Sequence, residues 1–103
     1  MMNKNQETEI VFNISYSTSF KKDIKKYRNQ SNKMTKIRDI ISILMQKGTN
    51  GIPKEKKPHP LTGNYKGFLE CHIEPDLLII WRQNDTEKTI VLERLGSHSE
   101  LFD

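Results

Sequence analysis

The hydrophobic positions of this chain change period along its length. Ile10, Phe12, Ile14 and Tyr16 alternate with Val11, Asn13 and Ser15. That period of two predicts a strand with one buried face. Serines and a threonine at 15–19 offer helix N-caps, and Phe20, Ile24 and Tyr27 then follow at helical spacing with lysines on the other face. Asn29 to Asn32 reads as a turn. Met34, Ile37, Ile41 and Leu44, joined by Ile40 and Met45, predict a second amphipathic helix that stops at Gly48. So short a link makes the two helices an antiparallel hairpin.

From Gly48 to Tyr65 the period is lost, and Pro53, Pro58 and Pro60 interrupt the chain. A stretch of that length without structure is uncommon in a small domain and is typically functional or disordered. Strand character returns at 67–73, 77–82 and 89–95, with Glu74-Pro75-Asp76 as a tight turn and the polar run Gln83–Lys88 as a second. Successive hairpins predict a largely antiparallel sheet. The order strand, helix, helix, strand, strand, strand predicts an α+β fold: a twisted four-stranded sheet with the helical hairpin on one face.

The chain has 103 residues, room for one core. Its single cysteine, Cys71, excludes an internal disulfide framework and a cysteine-based zinc site, and points to a reducing compartment. The N-terminal run MMNKNQETEIVFN has no long apolar stretch, so it predicts neither a signal peptide nor a membrane span. The domain is expected to be soluble and cytoplasmic. Charge is segregated: residues 15–57 carry 12 Lys/Arg against Asp23, Asp39 and Glu55, whereas residues 58–103 carry four against eight acids. The basic block suits a polyanionic partner, or else is simply a solvated lysine-rich face.

The polar residues suited to chemistry gather at strand ends. His72 closes one strand and Asp76 opens the next across the proline turn; Arg94 shares parity with Ile90 and Leu92; His98 follows Gly96, where the chain can bend back. With His59 they can meet at one edge of the sheet. Each has an ordinary alternative: a hydrogen-bonded surface histidine, an Asx-type turn at Asp76, an exposed ion pair of Arg94 with Glu93. Cys71 and Trp81 suit the core. The histidine spacings of 13 and 26 match no local zinc pattern.

Three separated segments narrow these alternatives. They are His59-Pro60-Leu61-Thr62-Gly63-Asn64-Tyr65-Lys66-Gly67, then Cys71-His72-Ile73-Glu74-Pro75-Asp76, then Glu93-Arg94-Leu95-Gly96-Ser97-His98-Ser99-Glu100-Leu101-Phe102. In this order they resemble the YafQ branch of the RelE superfamily of toxins, and Tyr16-Ser17 and Lys22-Asp23 fit the same pattern. The resemblance covers residues 10–103 as one domain and leaves residues 1–9 as an added, flexible tail. Relatives often carry Trp directly after Glu-Pro-Asp, where this chain has Leu77; that departure bears on codon preference.

The resemblance implies the toxin of a type II toxin–antitoxin pair: a ribosome-dependent endoribonuclease that needs neither metal nor other cofactor. Attack by a ribose 2′-hydroxyl on the adjacent phosphate needs a base, an acid and a cation at the phosphoryl oxygens. Histidine suits the proton transfers and arginine the phosphate. Carried over position by position, the catalytic set falls on His59, His72, Asp76, Arg94 and His98, with Phe102 and Lys66 binding substrate. His98 is the expected acid, Asp76 or His72 the base, Arg94 the transition-state cation, and His59 a phosphate ligand or a partner in proton transfer. Phe102 would hold or stack a base. Lys21, Lys22, Lys25, Lys26 and Arg28 would contact ribosomal RNA phosphates. The expected partners are an acidic or partly disordered antitoxin, the ribosome and messenger RNA, with no membrane; the toxin alone would be a monomer, and a hetero-oligomer with its antitoxin. Two alternatives are a ParE-like gyrase inhibitor of the same fold, which generally lacks the His/Arg set, and an inactive module that only binds antitoxin.

Overall fold

A computed structural model describes residues 10–102; the expected tail at 1–9 lies outside the described residues. The chain runs β1 (Asn13–Tyr16), α1 (Thr18–Lys25), α2 (Ser31–Lys47), β2 (His59–Pro60), β3 (Leu69–Glu74), β4 (Leu77–Asn84), β5 (Thr89–Gly96) and α3 (His98–Phe102). The strands form one sheet in the order β1-β5-β4-β3-β2, with β1 parallel to β5 and every other pair antiparallel. The expected α+β architecture is present, with five strands among the described residues rather than four.

Local chemistry sets the element ends. Ser17 caps α1, its Oγ accepting from the Phe20 N–H at 3.0 Å and donating to the Glu93 carbonyl at 2.8 Å. This places the start of α1 against β5. Gly48 ends α2 with φ +70°, and a Cβ there would stand 2.7 Å from Cε2 of Phe12, so both conformation and space require glycine. Pro75 and Asp76 make the β3–β4 turn.

The main core lies between the helices and the sheet. Ile37, Ile40 and Leu44 of α2 and Phe20 of α1 pack on Ile79, Trp81, Ile90, Leu92 and Leu95. Trp81 is fully buried and donates to Thr49 Oγ1 at 3.0 Å. Cys71 is also buried there, and burial pushes its thiol up to about 12, so it packs as an apolar group. Glu74 ties β3 to α2 through Lys33 and Lys36, whose amines hold its carboxyl below the usual range. An apolar cleft of about 680 Å³ opens between α1 and α2, lined by Phe20, Ile24, Met34, Ile41 and Met45 with Lys21, Lys25 and Arg38 among its walls.

Three sequence expectations are corrected. The alternating run 10–16 is only partly buried: Phe12 is inside, but Ile10 and Tyr16 are exposed, because β1 is a short edge strand. The aperiodic stretch 48–65 is ordered, built from single turns at Thr49–Gly51, Lys54–Lys56 and Gly63–Tyr65 around β2. Pro60 is tolerated in β2 because that strand is the opposite edge. The second face of the sheet is also covered: Leu78 and Ile80 pack beneath Leu101 of α3 and Leu61, Tyr65 and Phe68 of the loop before β3.

Candidate active site

Strand alternation decides which side chains share this second face. On β4, Leu77, Ile79 and Trp81 point into the helical core, while Leu78 and Ile80 point away from it. Register then lays two rows across the sheet. One runs His59, Glu70, Ile80, Arg94; the other runs His72, Leu78, Gly96. His59, His72 and Arg94 therefore stand on one face, from three different strands.

Arg94 reaches that face only through an irregularity. Ile80 pairs with Arg94 but Trp81 pairs with Leu92, so Glu93 is an extra residue in β5. The shared parity of Arg94 with Ile90 and Leu92 is thereby broken: those two enter the main core and Arg94 does not. The bulge lies where β5 outruns β1, whose last pair is Tyr16 with Leu92. There α1 takes over the open edge. Asp23, buried in α1, accepts the Leu95 N–H at 2.9 Å and binds Arg94 through Nε at 2.8 Å and Nη2 at 3.3 Å. This pair, and not one with Glu93, fixes the guanidinium, and the carboxylate raises the Arg94 pKa above its ordinary value. Glu93 pairs with Arg82 instead.

His98 sits in the first turn of α3, a helix the periodicity did not predict. The signal was present as Ser97-x-x-Glu100, a capping box. Ser97 Oγ accepts the Glu100 N–H at 3.2 Å, and Glu100 Oε1 accepts the Ser97 N–H at 2.8 Å. That N–H, aided by Lys26, holds the Glu100 carboxyl below its usual range. A further orphan amide at the helix start, that of His98, donates to Asp76 Oδ1 at 3.0 Å. Asp76 thus joins the β3–β4 turn to the helix carrying His98. The His98 ring leans on Phe102 at 4.9 Å, and Phe102 meets Tyr65 edge-on at 5.6 Å.

The three imidazoles are held differently. His59 Nδ1 lies 3.0 Å from the Pro60 carbonyl and Nε2 lies 3.0 Å from Glu70 Oε1. His72 Nδ1 lies 3.3 Å from the Pro75 carbonyl, and its Nε2 has no partner among the described residues. A proton on Nδ1 therefore leaves a lone pair on Nε2. Neither His98 ring nitrogen has a hydrogen-bond partner among the described residues, and the residue is exposed. Lys66 is exposed at the end of the turn before β3. Lys21, Lys22, Lys25, Lys26 and Arg28 are all exposed, and Lys26 lies 3.4 Å from Glu100, which brings the basic side of α1 beside α3.

The sequence reading missed Asp23 as the partner of Arg94, Glu70 as the partner of His59, and Tyr65 and Arg82, the latter standing 5.4 Å over Phe68. For Glu70, parity with His72 was an available signal; for Asp23, 71 residues from Arg94, the signal was only its place in the family pattern as Lys22-Asp23. The face combines a fixed guanidinium, three imidazoles in different hydrogen-bond settings, and an aromatic pair. Groups of these types are the ones that phosphate binding and proton transfer require. Among the described residues, no three His, Cys, Asp or Glu side chains gather as metal ligands.

Residues 12–103 match the family described as the bacterial toxin of type II toxin-antitoxin system, YafQ. The chain is 35% identical over 89 residues to the mRNA interferase toxin YafQ of Escherichia coli K12, spanning 86% of this chain and 94% of that protein. It superposes on crystalline YafQ from E. coli BL21(DE3) with a TM-score of 0.79 at 33% identity, covering 89% of this chain and 99% of the other. It is equally similar to a chain of the E. coli DinJ-YafQ toxin-antitoxin complex, with a TM-score of 0.78 at 34% identity over 91% and 100% of the two chains.

Proposed function

Because the chain belongs to the YafQ family of type II toxins, we propose that it cuts messenger RNA on the ribosome by driving a ribose 2′-hydroxyl onto the adjacent phosphate. The observation that carries this reading is the convergence of His72, Arg94 and the first turn of α3 on one sheet face. The roles follow from the free atoms. His72, with Nδ1 on the Pro75 carbonyl, offers the Nε2 lone pair as base for the 2′ proton. Asp76, the other candidate base, has one oxygen occupied by the His98 amide and acts mainly to seat α3. Arg94, pre-set by Asp23, stabilises the charge on the phosphoryl oxygens. His98, exposed and with no ring hydrogen bond among the described residues, donates its proton to the leaving 5′ oxygen. Phe102 and Tyr65 hold a base, and Lys66 binds the backbone beside them.

Sequencing the ends of translated messages in cells expressing the chain tests this reading. Internal cuts leaving a 2′,3′-cyclic phosphate and a 5′-hydroxyl are expected. Intact messages with arrested growth would overturn it and favour gyrase inhibition. Residues 10–103 are proposed to act as one domain in the cytoplasm without a cofactor. Treating a purified cleavage reaction with a chelator that spares the ribosome's magnesium is accordingly expected to leave the rate unchanged.

The exposed cations of α1 fit ribosomal RNA. Reversing Lys21, Lys22 and Lys25 to glutamate is expected to weaken ribosome binding by at least tenfold at low salt and to flatten its salt dependence. Unaltered binding and salt response would confine that face to solubility. The proposed antitoxin is an acidic protein, with the free toxin monomeric. An acidic amphipathic segment would fill the apolar cleft between α1 and α2 and meet Lys21, Lys25 and Arg38. That would also withdraw those lysines from RNA.

A further inference from the structure

The candidate site occupies two rows of the outer sheet face, and a third row follows them. Arg82 lies two residues beyond Ile80 on β4, on the face of Leu78 and Ile80. Ile80 pairs with Arg94, so the row of Arg82 is ~7 Å from that of Arg94 at the usual strand rise. Its guanidinium stands 5.4 Å from the centre of the Phe68 ring. Phe68 meets Tyr65 edge-on at 5.7 Å, and Tyr65 meets Phe102. The aromatic line that starts beside His98 therefore ends under Arg82. Glu93 lies 3.6 Å from its Nε, too long for a hydrogen bond, and the Arg82 side chain keeps 54% of its surface in solvent. So exposed an ion pair is weak. The ring of Phe68 holds the guanidinium without using its N–H groups, and all five of these donors are unspent among the described residues. Beyond Arg82 a recess of about 530 Å³ opens, lined by Gly67, Asn84, Thr89 and Val91, with Asp85 and Glu87 of the β4–β5 turn in its wall.

We propose that Arg82 is a further substrate-binding residue, a second guanidinium that grips the phosphate of a nucleotide flanking the cut while the attached nucleoside enters the recess. This deepens the cleavage reading and rests on it. A guanidinium offers phosphate a planar fork that stays charged. Arg94 serves the scissile phosphate, and Arg82, one row on, serves a neighbour on the same strand of RNA. The carboxylates of Asp85 and Glu87 repel any phosphate placed farther along the face. The track therefore ends at Arg82, and a single linkage depends on it.

The test measures cleavage of ribosome-bound message by the full chain. Arg82→Gln is expected to raise KM about tenfold with kcat little changed, because the contact is the same before and during the reaction. Arg82→Lys keeps the charge without the fork and is expected to lose less, about threefold. Glu93→Gln is expected to leave KM unchanged; if it reproduced the loss, Arg82 would serve only its ion pair and the proposal would fall. The decisive messages each carry one neutral methylphosphonate linkage, moved in turn through the three linkages on either side of the cut. At one of them the native chain is expected to show the raised KM of Arg82→Gln, and Arg82→Gln no further loss. A loss that persists undiminished on every neutralised message would overturn the phosphate contact, as would an unchanged KM in a variant that melts with the native chain. If Arg82→Gln failed to fold, Arg82→Lys on the same messages decides by the same criterion. No cleavage of any message by the native chain would sink the nuclease reading and this inference with it, whereas cleavage indifferent to position 82 would sink the inference alone.

Discussion

His98→Ala is expected to abolish growth arrest and lower message cleavage by at least about 100-fold, the low end of what a positioned acid contributes. The expectation comes from what the imidazole does and does not hold. Its ring touches Phe102 but makes no hydrogen bond among the described residues. The bond to Asp76 belongs to the backbone N–H and survives the substitution. The capping box uses Ser97 and Glu100, and Leu101 supplies the buried contact of α3. Alanine is also a good helix former in place of histidine. The variant should therefore melt within a few degrees of the parent while losing toxicity. Full toxicity in a variant with an unchanged melting curve would remove His98 from the mechanism.

Asp23→Ala is expected to destabilise the fold by about 3 kcal/mol, near the lower bound for removing one partner of a buried pair. That end of the range applies because the Arg94 side chain keeps 27% of its surface in solvent. Three bonds go together: two to the guanidinium and one to the Leu95 amide, which is left buried without an acceptor. Measured in the His98→Ala background, the urea midpoint should fall by roughly 1–2 M, given a typical denaturant slope for a chain this size. Cleavage in the otherwise native chain should fall as well, since a guanidinium free to rotate no longer waits where phosphoryl charge develops. An unmoved midpoint would show that solvent already satisfies both partners, and that Arg94 is not held by α1.

Local features predicted most of the scaffold because their causes are local. Ser17 reaches the Phe20 amide three residues on, Gly48 relieves a positive φ, and Pro75 fixes a turn. Period two and period 3.6 gave the long strands and both long helices. Where an element was too short to show a period, the reading failed: β2 is two residues and α3 five. In α3 a side-chain signal, Ser97-x-x-Glu100, compensates for the missing period.

The sequence by itself determined which residue types were present for chemistry and, through three ordered motifs, the family to which they belong. It also determined that His72 and Arg94 would lie on strands and that His98 would follow a bend. Only the tertiary structure decided which way they face. One extra residue at Glu93 turns Arg94 out of the core, and Asp23, far away along the chain, holds it there. Glu70 and His59 meet because the edge strand β2 pairs with β3 in one register. Side-chain direction in a sheet reverses with every residue, so a single bulge or a one-step slip reassigns a face. That choice is made by packing between distant segments, where no local pattern can record it.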